Sequence, residues 1–253
     1  MTEQATSPLV EARGISIRFG AQRILDQIDL CVQPGEIVTI LGANGVGKTT
    51  LVRTLAGLPP FPDQRTDGII VRSVPFAFVH QQYQASLLPW YSARRNILLG
   101  LSIHSSNGKL RPEDVEKKME WIGLGTRLPL DRRPDQLSGG QKQMVALARA
   151  VLLERPLLFL DEPMSALDKN VQLEFATRLR ELVGLEQWAV IAVLHDVHLA
   201  AFMSDRCVAL AGKPARIAFD VKFNHAGRTD MPAFLADKSV EEIINQLARA
   251  IYS

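Results

Sequence analysis

The sequence predicts an α/β protein: a parallel sheet wound with helices, an antiparallel β edge at its start and a helical subdomain inserted midway. Three observations predict it. The short, unbroken apolar runs "EIVTIL" (36–41), "LLFL" (157–160) and "AVIAVL" (189–194) read as strands buried on both faces of a parallel sheet. Stretches of helical character separate them, as a doubly wound core requires. Nearer the start, "ISIRF" and "ILDQIDLCV" alternate apolar with polar residues, the mark of half-buried strands in an antiparallel edge.

Composition sets the bounds. At 253 residues, 47% hydrophobic and 22% charged, the chain suits one large globular α/β domain or a domain with an inserted lobe. A net charge of +2 supplies no general attraction for nucleic acid, and none is expected as a partner. The start, "MTEQATSPLV", lacks the basic and apolar blocks of a signal peptide, and no apolar run is long enough to span a bilayer. The chain is therefore not expected to cross a membrane by itself. Cys31 and Cys207 stand apart from any CxxC or His pair and read as buried, reduced thiols.

From about 85 to 155 the pattern turns to helical period with polar loops such as "SIHSSNGKLRPED", which places the inserted helical subdomain there. The strand "FAFV" leads into it. Near the end, "SVEEIINQLARAI" pairs Ser239 with Glu242 as a capping box and spaces Val240, Ile243, Ile244, Leu247 and Ile251 along one helix face. The expected organisation is a flexible start over 1–8, one domain over 9–220, and an extension over 221–253 ending in that amphipathic helix.

The chemistry begins at "GANGVGKTT", made of Gly42, Ala43, Asn44, Gly45, Val46, Gly47, Lys48, Thr49 and Thr50. It fits G-x-x-x-x-G-K-[ST] between a buried strand and a helical stretch, the setting a phosphate loop needs. Its glycines let backbone N–H groups wrap a phosphate, Lys48 reaches the β- and γ-phosphates, and the Thr49 hydroxyl binds Mg²⁺. The core is thus of the P-loop (RecA-like) kind, a class that holds kinases and GTPases as well as ATPases. At the end of "LLFLDEP", Asp161 and Glu162 stand where open α/β sheets place their ligands. Asp161 suits the Mg²⁺ shell, leaving Glu162 as the general base for an attacking water.

"DQLSGGQKQMVALARA" (135–150) opens a helix on a serine and paired glycines. Two readings stand on these letters: an ordinary serine cap, or a helix N-terminus stripped of side chains to receive an anion. With the phosphate loop and the acidic strand end, "LSGGQ" before "LARAVLLERPLLFLDEPMSALD" resembles the signature region of ABC-family ATPases, and the resemblance runs from about Phe19 to Leu210. It implies that Phe19 stacks on adenine, although an ordinary edge-strand Phe is the alternative. Ser165 to Asp168 resembles the D-loop, adding Asp168 to the nucleotide contacts, and His195 in "VLHD" the switch histidine at the γ-phosphate. Gln81, or Gln82 if the register slips by one, takes the Q-loop position near Mg²⁺ and the attacking water.

The chain holds one phosphate loop and one "LSGGQ". The resemblance implies that two chains pair head to tail, as a homodimer or with a related ATPase subunit. Ser138, Gly139, Gly140 and Gln141 of one chain then cap the ATP bound by the other. It also implies a peripheral place on the cytoplasmic face of the inner membrane, under transmembrane permease subunits, with a substrate-binding protein on the outer side. "LLPW" (87–90) suits either lobe core or the lip of a groove gripping a permease helix. Segments with these letters resemble ATPases of nitrate, sulfonate and taurine importers, so the expected cargo is a small anion.

Some letters depart from the family pattern. Lys142 and Met144 replace common arginines and are expected to alter interface charge; His198 and Leu199 replace an acidic pair; and the short span from Lys48 to Gln81 is expected to trim a sheet edge. Rival readings are a soluble ABC-type ATPase in repair or assembly, a phosphate-loop kinase, and a non-catalytic nucleotide-binding regulator. The first calls for a long coiled-coil insertion or a second cassette, and a kinase has no use for "LSGGQ".

Overall fold

The computed structural model describes residues 7–104, 112–223 and 230–252. Most of the expected flexible start and part of the polar loop near 105–111 lie outside them. Nine strands form one sheet among the described residues, in the order β4-β1-β2-β9-β8-β3-β7-β6-β5.

Its parallel half comprises β3 (Ile37–Gly42), β5 (Phe76–Val79), β6 (Leu157–Asp161), β7 (Ala189–Val193) and β8 (Arg206–Gly212). Every residue of β3, β6 and β7 is buried, which is why these strands read as unbroken apolar runs. β1 (Val10–Phe19) and β2 (Gln22–Val32) form the antiparallel edge. β9 (Ala215–Lys222) joins the halves, antiparallel to β8 and touching β2 at Leu25 and Ala215; it passes the expected domain end at 220. Buried Asp26 ties the seam, accepting from Arg23 at 2.7 Å and Arg216 at 2.5 Å.

The sheet edge is not trimmed. The run "QRTDGIIVR" forms β4 (Gln64–Arg72) and pairs with β1 from Phe19↔Gln64 to Val10↔Arg72. Even a short connection keeps enough β-branched residues, with Ile69, Ile70 and Val71 together, to make a ladder.

Helix α1 (Lys48–Leu55) buries Leu51, Val52 and Leu55 between the sheet halves. The inserted lobe contains α2 (Ala93–His104), α3 (Pro112–Trp121) and α4 (Gly139–Leu152). Met144 is buried in its core, so it cannot change interface charge. α5 (Lys169–Glu186) and α6 (Val197–Met203) cover the parallel sheet, followed by α7 (Met231–Leu235) and α8 (Lys238–Tyr252). α8 packs with Val240, Ile244, Leu247 and Ile251 inward. Its cap lies earlier than Ser239: Asp237 precedes the helix and accepts from the Ser239 N–H at 2.8 Å and its hydroxyl at 2.6 Å. Cys207 is buried and Cys31 half-buried.

Candidate nucleotide site

The site gathers at the carboxyl ends of β3, β6 and β7, the crevice of an open α/β sheet. β3 runs into the loop 42–47, and Gly47 ends it in the left-handed region at φ 109°. A Cβ on Gly47 would approach Leu25 Cδ2 to 2.9 Å, so a side chain there would push the loop off β2. Lys48 is buried and turns back on the loop, its Nζ donating to the carbonyls of Gly42 at 2.8 Å and Ala43 at 3.0 Å. Burial holds its ammonium below the usual lysine range, against the pull of Glu162 and Asp161. The loop takes two of its three donors, which leaves another for a phosphate oxygen.

The Thr49 hydroxyl donates to Asp161 Oδ1 at 3.0 Å. Burial pushes the Asp161 carboxyl up to about 6; neighbouring Glu162 adds to this, while Thr49, Lys48 and Arg53 oppose it. Glu162 follows in the left-handed region at φ 50°, unusual for a glutamate and costing about 1–3 kcal/mol that its surroundings must offset. Its N–H donates to Val193 O at 3.2 Å, and its carbonyl accepts from Gln143 Nε2 at 3.1 Å and from the Ser165 N–H at 3.4 Å. His195, just past β7, places Nε2 2.6 Å from Glu162 Oε1.

A cleft of about 470 Å³ brings together Phe19, Asn44, Gly45, Gly47, Lys48, Thr49, Thr50, Gln81, Glu162 and His195. Phe19 keeps its aromatic face near Phe61, with centroids 6.3 Å apart. Gly42 lies beneath Lys48, while Ala43 and Val46 line the adjoining cavity. Asp161 joins Gln81 and Gln82 around a side cavity beyond Thr49.

The signature residues stand elsewhere. Ser138 caps α4, its hydroxyl accepting from the Gln141 N–H at 3.2 Å while its own N–H donates to Gln141 Oε1 at 3.0 Å. Gly139 and Gly140 form the first turn of α4, and Ser138 and Gly139 are exposed. Asp168 caps α5 through the Val171 N–H at 3.0 Å. None of these five lines the cleft.

Three polar side chains, Gln143 and Asn96 buried and Arg149 half-buried, escape a reading of the sequence. Gln143 ties α4 to Glu162; Arg149 donates to Ser86 O and Oγ, each at 2.8 Å; and Asn96 holds the turn around Trp90. Their only signal is a polar letter on an apolar helix face.

The donors fit the expected metal. A buried carboxylate beside a hydroxyl, with an amide near, gives the hard oxygens Mg²⁺ takes when phosphates supply the rest. Among the described residues no cluster of three or more His, Cys, Asp or Glu surrounds a metal position.

The family described as ABC transporter matches residues 25–165. The aliphatic sulfonates import ATP-binding protein of Pseudomonas fluorescens is 37% identical, over 90% of this chain and 83% of that protein. Its counterpart in Mycobacterium sp. is also 37% identical, over 90% and 86%; that of Paraburkholderia xenovorans is 36% identical, over 92% and 88%. Among solved structures, a dimeric bacterial ABC transporter cassette superposes with a TM-score of 0.72 at 24% identity, covering 85% of this chain and 99% of that one. An inward-facing conformation of another ABC transporter gives 0.69 at 23% identity, over 97% of this chain and 89% of that one.

Proposed function

Because the chain belongs to the ABC transporter ATP-binding family, we propose that it hydrolyses ATP for an importer of small organic sulfonates and similar oxyanions. The observation that carries the catalytic part is the Glu162 carboxylate, held 2.6 Å from His195 in the same cleft as Lys48 and Thr49. The names of the sulfonate-importer relatives support the cargo.

Each group has a task. Lys48 carries fixed positive charge to the β- and γ-phosphates while the glycine loop wraps them. Thr49 and Asp161 would hold Mg²⁺, which would supply charge neutralisation for the nucleotide's phosphates. Glu162 takes a proton from the attacking water, and Gln81 helps to place that water. His195 steadies the carboxylate and stands next to the γ-phosphate position.

The signature turn completes the site from a second chain. Ser138 and Gly140, exposed or half-exposed and away from the chain's own cleft, present the N-terminus of α4 to the partner's γ-phosphate. ATP binding closes the dimer and hydrolysis reopens it. Permease subunits convert that motion to transport at the cytoplasmic face of the membrane, supplied by a substrate-binding protein on the far side. No helix among the described residues is long and apolar enough to cross a membrane, so the pathway belongs to those subunits.

Replacing Glu162 tests the assignment. Glu162→Gln is expected to keep ATP affinity while slowing hydrolysis about 10²–10⁴-fold, and to collect as an ATP-bound dimer on size exclusion. A near wild-type rate would remove Glu162 from the role of base. For the cargo, cells lacking this subunit should lose sulfonate uptake; normal uptake with no substitute ATPase present overturns that part alone.

A further inference from the structure

α4 opens on the exposed Ser138 and Gly139, and from Gly140 onward one face of it is seated on the segment that carries Glu162. Gln143 is wholly buried, yet its amide is fully engaged. Nε2 donates to Glu162 O at 3.1 Å and Ser165 Oγ at 3.3 Å, while Oε1 accepts from the Ala166 N–H at 2.8 Å. Gly140, three residues earlier and so on the same helix face, lies against the same segment: a Cβ there would come within 2.8 Å of Ala166 O. From the opposite side Gln172 Nε2 donates to the carbonyls of Met164 and Leu167, each at 2.9 Å. Segment 162–167 is thus held between α4 and α5.

A glutamine filling space at a core position costs more than a leucine unless each polar atom is paired. Here one pair goes to the carbonyl of Glu162, in its left-handed turn, and two to Ser165 and Ala166 just beyond it. We infer that Gln143 is a positioning residue linking the two sites of the dimer: it carries the seating of α4 on the partner's γ-phosphate to the Glu162 carboxylate of its own chain. The link rests on the composite-dimer reading above. Its consequence is that the base in one site is set in place when the same chain's signature turn engages the nucleotide of the other.

Gln143→Met keeps the length and removes every hydrogen bond. The variant is expected to lower kcat about 10- to 100-fold, the effect of a misplaced reacting group, with KM for MgATP changed less than about twofold. In a Glu162→Gln background it should still collect as the ATP-bound dimer. Ser165→Ala, an exposed change, should lower kcat less, and the two effects should not add when combined, because both act through one link. A kcat near wild type for Gln143→Met overturns the proposal, as does a KM rising in step with the loss of kcat. Loss of the trapped dimer on adding Gln143→Met also overturns it, since Gln143 would then serve the signature helix alone. If Gln143→Met fails to fold, a wild-type kcat for Ser165→Ala decides against the link. Failure of Glu162→Gln by itself to form an ATP-bound dimer would instead sink the composite reading beneath it.

Discussion

Asp161 carries a charge that the ligand-free protein accommodates poorly. Its carboxyl is pushed up by burial to about 6 from an ordinary 3.8, so the folded chain holds this proton more tightly than the unfolded chain does. Stability from this group is therefore complete below about pH 4 and lost as pH rises through about 6. The difference is worth about 3 kcal/mol at most at neutral pH and above. Asp161→Asn removes the titration but leaves an oxygen for the Thr49 hydroxyl. Without nucleotide, it should melt several degrees above wild type at pH 8, with the gain gone by about pH 4. Thermal unfolding at the two pH values checks this, and an equal gain at both would show that burial of the charge is not the cause. A divalent cation should stabilise wild type with nucleotide but not the asparagine variant. The carboxylate pair was legible in the sequence because "DE" ends an apolar run. The left-handed turn at Glu162 was not, since nothing in the letter Glu asks for positive φ.

At the scale of elements, "LLPW" divides rather than moving as one block. Leu87 is in the core at 5% exposure, while Trp90 is 63% exposed. Buried Asn96 explains the division: it accepts from the Leu88 N–H at 2.8 Å and donates to the carbonyls of Leu88, Tyr91 and Ser92 at 3.1–3.2 Å. That fixes the turn and leaves Trp90 outside, beside Tyr91 with Arg95 over the latter's ring. Trp90→Glu should thus leave the melting temperature of the isolated subunit and its nucleotide affinity nearly unchanged. Assembly with the permease subunits should weaken about tenfold or more, since burying an aromatic ring contributes about 1.5–3 kcal/mol. Co-purification from detergent-extracted membranes measures it, and a large fall in melting temperature would return Trp90 to the lobe core. The strands β3, β6 and β7 were legible because full burial writes itself as apolar runs. β4 was less so, because its residues are mostly exposed and its pairing with β1 is set by tertiary contact. The cap of α8 was misplaced for a similar reason: Asp237 and Ser239 are both good caps, and a sequence does not say which one starts the helix.

At the scale of the whole molecule, the two halves of the expected chemistry do not meet. Lys48 and Glu162 line one cleft, whereas Ser138 is exposed at the start of α4 and outside it. In a two-fold dimer each chain would lend its signature turn to the other, so two broken chains can make one whole site. Lys48→Ala removes the charge that neutralises a chain's own nucleotide, and Ser138→Arg puts a cation into the partner's site. Each homodimer should be inactive. Mixed, they yield heterodimers in which one site joins Lys48 of the Ser138→Arg chain with Ser138 of the Lys48→Ala chain, and the other carries both lesions. With random exchange, half the dimers are mixed and half their sites intact, so roughly a quarter of wild-type hydrolysis should return if the sites act independently. With the Gln143 link, the base of the intact site belongs to the chain whose signature turn is broken, and the return should fall about 10- to 100-fold below that quarter. ATPase rate against mixing ratio should peak near equal amounts, a curve that neither a monomeric enzyme nor a contaminating ATPase produces. Exchange must be shown separately, for example by co-purification of two differently tagged chains. If exchange is complete and the mixture stays inactive, independent composite sites are ruled out, leaving either a site that needs both nucleotides at once or a dimer built on another face.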